Sequence, residues 1–364
     1  MYKNIMTLLL SIILLTGCNN GAQRSQTKTA AVDISWYNTT EDYFEISTAA
    51  QLAGLAYLVF IETDDFKGAT LKLVKDIDLK NFGKNWNDGK GWIPIGDDEF
   101  CFNGKFDGNN KKITGLYIND PTLERAGLFG VSTGSITNLG IDVNITAGSL
   151  VSDDTPHSCG GVVGRLVGSC TNCYVTGMVS GNNNVGGVVG DMYYDWISSL
   201  ACTNCYATCE VRGNRNVGGV TGSAAVGTCL NCYASGSVSG NSFVGGVSGF
   251  SFANRNHKYW AALNPSIMRS SGNSDYFSRV CRQEIPYSVA WTDMALFRGF
   301  NDYDGLSVTA EEVTSADFWL NNPDVWGKDN AWDTDIWDIA DGRLPILKNV
   351  GGDQLANNPP AHLK

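Results

Sequence analysis

The chain has 364 residues, with 26 Lys and Arg against 37 Asp and Glu, for a formal net charge of −11 at pH 7. That balance, with no dense basic run, argues against nucleic acid as a partner and against electrostatic attraction to an acidic membrane surface. Hydrophobic residues make up 43% beside 42 glycines and 11 cysteines, so a sizeable core is available, but one built from thin layers.

The first residues, MYKNIMTLLLSIILLTGC, carry a basic start at Lys3, an apolar run from Leu8 to Leu15 and small residues before Cys18. This pattern predicts a secretory signal over residues 1–17, too short to span a membrane as a mature helix. LLTGC resembles a bacterial lipobox, which makes Cys18 the expected lipidation site and the outer membrane the expected anchor. Buried acyl chains hold at roughly 0.8 kcal/mol per methylene. With Cys18 acylated, ten cysteines remain, an even number in a compartment where disulfides persist. The polar run that follows reads as a flexible tether over residues 18–43.

Residues 44–125 are expected to form the N-terminal cap and first coils. ISTAAQLAGLAYLVF reads as a helix, with Thr48 and Gln51 in a capping-box pattern and an apolar stripe of Leu52, Leu55, Ala56 and Val59. ATLKLVKDIDL and KKITGLYIN alternate as strands. Asp76 and Asp78 share one strand face, a spacing at which two carboxylates could serve glycoside hydrolysis. With Leu73, Ile77 and Leu79 inward, solvated acids opposite a core are the plainer expectation.

Over residues 126–250 the chain repeats itself, and repeats decide architecture. SCGGVVG, NVGGVVG, NVGGVTG and FVGGVSG place glycine pairs at 160/161, 186/187, 218/219 and 245/246. Between them come CTNCYVTGMVSG, CTNCYATCEVRG and CLNCYASGSVSG. From Cys173, Cys205 and Cys232 to the next glycine pair is thirteen residues each time. Short alternating strands in a unit of constant phrasing predict one coil of a parallel β-solenoid, with each position repeated in a vertical column about 4.8 Å apart. Glycine is expected where the coil turns tightly, with positive φ, or where the facing wall comes close. Cys170, Cys173, Cys202, Cys205, Cys229 and Cys232 are read as buried structural columns, with disulfides between same-column cysteines of neighbouring coils as the alternative that geometry must decide; no metal and no cofactor is expected. Tyr174, Tyr206 and Tyr233 share a register and predict a packed aromatic ladder, or a sugar platform if they face outward. The extra residues DMYYDWISSL after Gly190 place Tyr193, Tyr194, Asp195 and Trp196 on a loop with ligand-binding chemistry.

Residues 251–349 lose the glycine rhythm and gain tryptophan, as expected of C-terminal coils and a cap, with 350–364 as a tail. HKYWAAL offers Tyr259 and Trp260 as a second binding candidate. Asp302 and Asp304 suggest a calcium loop, but Phe300 stands where a first ligand belongs. His157, His257 and His362 are isolated, so no HExxH zinc-peptidase motif exists.

Taken in order, ISTAAQLAGLA, LVKDIDL, WIPIG, FNGKFDGNNKKITGLYI, AGLFG, the glycine–cysteine phrases and WDIADGRLPILK resemble GLUG-repeat bacterial lipoproteins. They are similar to the non-catalytic GLUG region of some immunoglobulin A peptidases. The resemblance implies an all-β, right-handed parallel β-helix with an N-terminal capping helix and an irregular C-terminal cap, and it does not imply protease activity. The expected function is non-enzymatic: an envelope-anchored surface lipoprotein that binds a glycan or a host or envelope protein through its wall. The rival is a polysaccharide-degrading β-helix enzyme, a lyase or glycoside hydrolase.

Overall fold

The computed structural model describes residues 31–61, 64–149, 157–192, 200–252, 256–271, 276–296, 305–328 and 332–364. It is a parallel β-helix of about 8 turns, as the repeat predicts. Each repeat divides among three sheets. The cysteine phrase, as in Ser169–Ser180, lies in the 16-stranded sheet; the front half of the glycine phrase, Asn183–Gly186, lies in the 6-stranded sheet; the back half, Val189–Asp191, lies in the 5-stranded sheet. The glycine phrase is therefore a corner.

Registers are in line from rung to rung. Ile136, Cys170, Cys202 and Cys229 form one column, and Val175, Ala207, Ala234, Ala262 and Ala290 form another. The reason for glycine differs between the two explanations offered by the sequence. None of the corner glycine pairs has positive φ. They answer instead to crowding: a Cβ on Gly187 would lie 2.7 Å from the Cβ of Ala207 on the opposite wall. The corner backbones are laced through Gly161 N–H to Gly187 O at 3.0 Å and Gly187 N–H to Gly219 O at 3.1 Å. The core there is one side chain thick.

Positive φ falls to asparagine. Asn138, Asn172, Asn204 and Asn231 sit at φ 52–55, and Asn184 and Asn216 at φ 48 and 54. Asparagine tolerates this region because its short amide bonds locally. Here the amides also bond vertically: Asn204 Nδ2 donates to Asn172 Oδ1, and Asn172 Nδ2 to Asn138 Oδ1, both at 3.1 Å. Asn216 Nδ2 donates to Asn184 Oδ1 at 2.7 Å. The ladders fix the turns.

The outermost strand, Tyr43–Ile46, pairs with Thr70–Leu73 and leads into helix α1, Ala49–Phe60. Thr48 Oγ1 accepts from Gln51 N–H, while Gln51 Oε1 takes the Ser47 N–H at 2.9 Å, so the box closes one residue earlier than the pattern predicts. Residues 31–43 are not a free tether. Asp33 N–H donates to Ala50 O at 3.0 Å, and Trp36 and Tyr37 join an aromatic cluster with Phe44 and Phe66. Burying these rings accounts for their ordering, since each aromatic carries a large apolar area.

At the other end, rungs continue to the strand Leu306–Val308. Three short helices follow: α2 (Ala310–Val313), α3 (Ala316–Leu320) and α4 (Pro323–Trp326). Trp319, Trp326, Trp332 and Trp337 are fully buried and pack beside Tyr233, at ring-centroid distances of 6.5 Å for Trp319 and 6.1 Å for Trp337. The tryptophan segment thus returns along the wall, covering the tyrosines sideways. Residues 350–364 continue that strap, with Val350 and Leu363 buried, so the expected tail is a packed element.

Gly187→Ala is expected to lower stability by about 1–3 kcal/mol through overpacking, and Asn172→Ala by a similar ~1–3 kcal/mol through left-handed backbone strain and a lost ladder link. Urea unfolding of both variants checks this; wild-type midpoints would contradict the column account.

Candidate functional site

The residues with the loudest chemistry in the sequence are consumed by the framework. Cys170, Cys173, Cys202, Cys205, Cys229 and Cys232 are wholly buried. Their sulfurs form two groups, Cys170/Cys173/Cys205 and Cys202/Cys229/Cys232, each with all atoms within 4.8 Å. The thiols lean on carbonyls, as Cys205 Sγ does on Thr203 O at 3.3 Å. Burial pushes the Cys173 and Cys232 thiols well up and lifts Cys209 to about 12, whereas burial of Cys205 and Cys229 is outweighed by hydrogen bonds from neighbouring thiols, which hold Cys205 well below its ordinary value and bring Cys229 down to about 6.

Tyr174, Tyr206 and Tyr233 stack nearly parallel, at 5.1 and 4.7 Å between centroids. The strap covers them. Tyr174 OH donates to Gly351 O at 2.8 Å, Tyr206 OH to Gln354 Oε1 at 2.7 Å and Tyr233 OH to Pro345 O at 2.7 Å. Their ring faces are spent on one another, so an open sugar platform is excluded here.

The remaining sequence candidates fall in different places. Trp260 is fully buried, with Nε1 donating to Cys229 O at 2.9 Å; it belongs to the core because it takes the inward register opposite Cys232, which overturns its reading as a surface contact. Tyr259 is half-buried and stacks on Tyr287 at 5.3 Å, so its ring is engaged too. Asp76 Oδ1 accepts the Lys112 N–H, and Asp78 accepts the Lys80 N–H and pairs with Lys80 Nζ at 2.8 Å. Lys80 holds the Asp78 carboxyl below its ordinary range, the wrong direction for a general acid. Cys18, Tyr193, Tyr194, Asp195, Trp196, Asp302 and Asp304 lie outside the described residues.

What the structure adds is a cleft of about 320 Å³ beside the first coils, with Phe60, Pro94 and Leu123 on its apolar side and Asp98, Glu99 and Arg125 on its polar side. Asp98 is clamped by two guanidiniums: Arg125 Nη2 meets Oδ2 at 3.0 Å and Arg165 Nη1 meets Oδ1 at 2.9 Å. Arg165 reaches on to Asp191 at 3.9 Å. Also in the cleft, burial would raise the Asp120 carboxyl, but Thr122 and Lys90, the latter at 3.0 Å, hold it below the usual range. Burial pushes Asp191 up despite Arg165 and Ser223. The charge chain thus runs from the cleft to the root of the 193–199 insertion.

No local motif announces this chain, because its members are separated by tens of residues. A signal does exist. The residue after the last glycine of each phrase is Val131, Arg165, Asp191, Ser223 and Phe250, and these stand in one column. Opposite charges on consecutive repeats are what a vertical ion pair requires. A second unannounced feature is an aromatic corner: Phe243, at φ 54 where neighbouring rungs carry asparagine, stacks on Tyr276 at 4.7 Å beneath Arg215 and Arg282. Phe252 and Tyr276 there are exposed.

No protein-family model matches the chain. It is 34% identical over 156 residues to halomucin of Haloquadratum walsbyi, covering 42% of this chain and 2% of that protein. It is 32% identical over 139 residues to a "Putative Gly-rich membrane protein" of Evansella cellulosilytica, covering 38% and 15% respectively. The chain therefore spans a small part of the curated relatives it matches. A crystal structure from Bacteroides ovatus, described as a "putative immunoglobulin A1 protease", superposes with a TM-score of 0.65 at 20% identity, over 85% of this chain and 93% of that one. That likeness shows a shared β-helix fold.

Two outcomes follow from the site. Native Asp191 keeps its proton above the unfolded carboxylate value of about 3.9, so it lowers stability as pH rises from there through its folded value. Asp191→Asn should flatten that slope and Arg165→Met should steepen it, read by urea unfolding between pH 4 and 7; identical slopes in all three proteins would refute the pairing. Tyr206→Phe should cost about 0.5–1.5 kcal/mol and speed proteolysis after residue 345; unchanged digestion would mean the phenol does not hold the strap.

Proposed function

We propose that this chain is an exported, lipid-anchored envelope protein that recognises a glycan or protein on the wall of its β-helix, without a catalytic step of its own. The observation that carries this reading is the clamped cleft. Among the acids that line it, Asp98 is held by Arg125 and Arg165 and Asp120 by Lys90, so both offer fixed hydrogen-bond acceptors. Glycoside hydrolysis needs one carboxyl that retains a proton to give to the leaving oxygen. Asp191 does retain one more readily, but it is buried behind the cleft and does not line it.

The apolar side of Phe60, Pro94 and Leu123 beside fixed charges is the usual composition of a recognition site, where a few polar groups orient a ligand against hydrophobic surface. Exposed Phe252 and Tyr276 add a second adhesive corner. The relative named a membrane protein is consistent with an envelope setting, and the IgA1 protease description belongs to that neighbour; this sequence lacks an HExxH motif. The Cys18 lipobox supplies the anchor in this reading.

The test is a glycan array and envelope-protein binding screen run beside reducing-end and unsaturated-product assays. Wild-type protein should bind without releasing product, and Glu99→Ala or Leu123→Arg, both on the cleft surface, should weaken binding about tenfold or more, roughly 1.4 kcal/mol. Product release that disappears in the cleft variants would establish the enzyme reading instead. Cys18→Ser should move the protein from the membrane to the soluble fraction.

A further inference from the structure

Two columns of the β-helix change character at the later rungs. In both, the residue at left-handed φ is asparagine on the earlier rungs: Asn138, Asn172, Asn204 and Asn231 in the first, Asn184 and Asn216 in the second. The columns then turn aromatic. Tyr259 and Tyr287 extend the first at φ 61 and 56, and Phe243 extends the second at φ 54, followed by Tyr276 on the next rung. Asparagine is at ease in this region, whereas a bulky ring is not. The turn itself does not demand the exchange, since Asn216 makes it one rung before Phe243. Strained backbone of this kind collects at binding sites.

In the second column the rings carry cations. Phe243 stacks on Tyr276 at 4.7 Å and 14°. The Arg282 guanidinium lies 4.3 Å over Tyr276, and those of Arg282 and Arg215 are each 5.1 Å from the Phe243 centroid. Phe250 meets Phe243 and Phe252 edge-on, at 5.9 and 5.1 Å, and carries the apolar surface on to Phe252. Both arginines are exposed, as are Tyr276 and Phe252, each at 46%. Among the described residues, neither Arg215 nor Arg282 has an acidic side chain within ion-pair distance. Cation–π attraction holds the guanidiniums on the rings and leaves their N–H edges open. Two like charges gathered on one ring repel each other, and an anion bound to both relieves that repulsion.

We propose that this corner binds an acidic saccharide, a sugar residue bearing a carboxylate or a sulfate. Such a residue presents both halves of the required chemistry on one ring. Its anionic group accepts from the open N–H fork of a guanidinium, whose geometry suits a bidentate oxyanion. Its C–H face covers the exposed rings of Tyr276 and Phe252, which offer apolar surface. A neutral sugar leaves the two positive charges without a partner, and an acidic peptide supplies the charge without the flat apolar face. The proposal rests on the recognition reading above and deepens it by naming a ligand class for the aromatic corner, which lies on later rungs than the Asp98 cleft.

The experiment is calorimetric titration of the full-length protein with tetragalacturonate, a sulfated chondroitin tetrasaccharide, maltotetraose and tetraglutamate. At least one of the two anionic saccharides should bind saturably, and more weakly as salt rises; which of them binds identifies the anion. Maltotetraose and tetraglutamate should bind about tenfold more weakly or not at all. Arg215→Gln and Arg282→Gln should each weaken saccharide binding about tenfold or more. Both side chains are exposed, so the urea midpoints of these variants should stay at the wild-type value and the loss reads the corner rather than the fold. The proposal fails if neither anionic saccharide binds, if tetraglutamate or maltotetraose binds as well as they do, or if binding survives both arginine substitutions. Loss of saccharide binding in Leu123→Arg but not in the arginine variants would place the ligand in the cleft and overturn the corner. Saccharide binding at the corner with no ligand found for the cleft would sink the cleft reading alone.

Discussion

Every feature of this molecule depends on rungs being held in register at the spacing of neighbouring strands, about 4.8 Å. At that spacing a side chain's nearest neighbours are its equivalents above and below. A residue type is therefore tolerated only if it can stack on itself. Alanine, valine and cysteine fill the interior columns because they pack without polar demands, and tyrosine stacks outside because its faces attract in parallel, offset arrays. Charge cannot repeat on this rule, so Arg165 is followed by Asp191 on the next rung.

The corner shows the same constraint acting on backbone. Two sheets meet there across a core one residue deep, and the second glycine of each pair faces the opposite wall at Val175, Ala207, Ala234 or Ala262. The neighbouring turns need left-handed backbone, and asparagine supplies it while bonding to the asparagine below. Glycine and asparagine thus divide the labour: one removes bulk, the other accepts an uncommon φ at little cost. Where Phe243 follows Asn184 and Asn216 in the second asparagine column, the strain coincides with an aromatic and arginine-rich surface, the type of position where function and strain meet.

The ends of the chain do more than terminate it. Residues 31–37 cover one side of α1, and the tryptophan segment with the strap lies along the tyrosine ladder. Both additions bury surface that a bare β-helix would leave apolar and exposed. They also create concavities that a regular wall lacks. The cleft beside the first coils arises where an irregular segment meets regular rungs, which is why the candidate site lies at such a junction.

The sequence by itself determined the architecture and the columns. A fixed thirteen-residue interval from CxxC to GG, alternation within each phrase and the identity of repeated positions suffice to stack Cys170 on Cys202 and Tyr174 on Tyr206. Local rules and one-dimensional periodicity carry that information. Other features were decided only by tertiary structure: that Trp260 turns inward, that Pro345, Gly351 and Gln354 of the strap bind the tyrosine hydroxyls, and that Asp98 meets Arg125 and Arg165. Those contacts join segments 27 to 177 residues apart and occur where the repeat breaks. No periodicity extends across such a break, and the partners are chosen by which surfaces the folded rungs bring together.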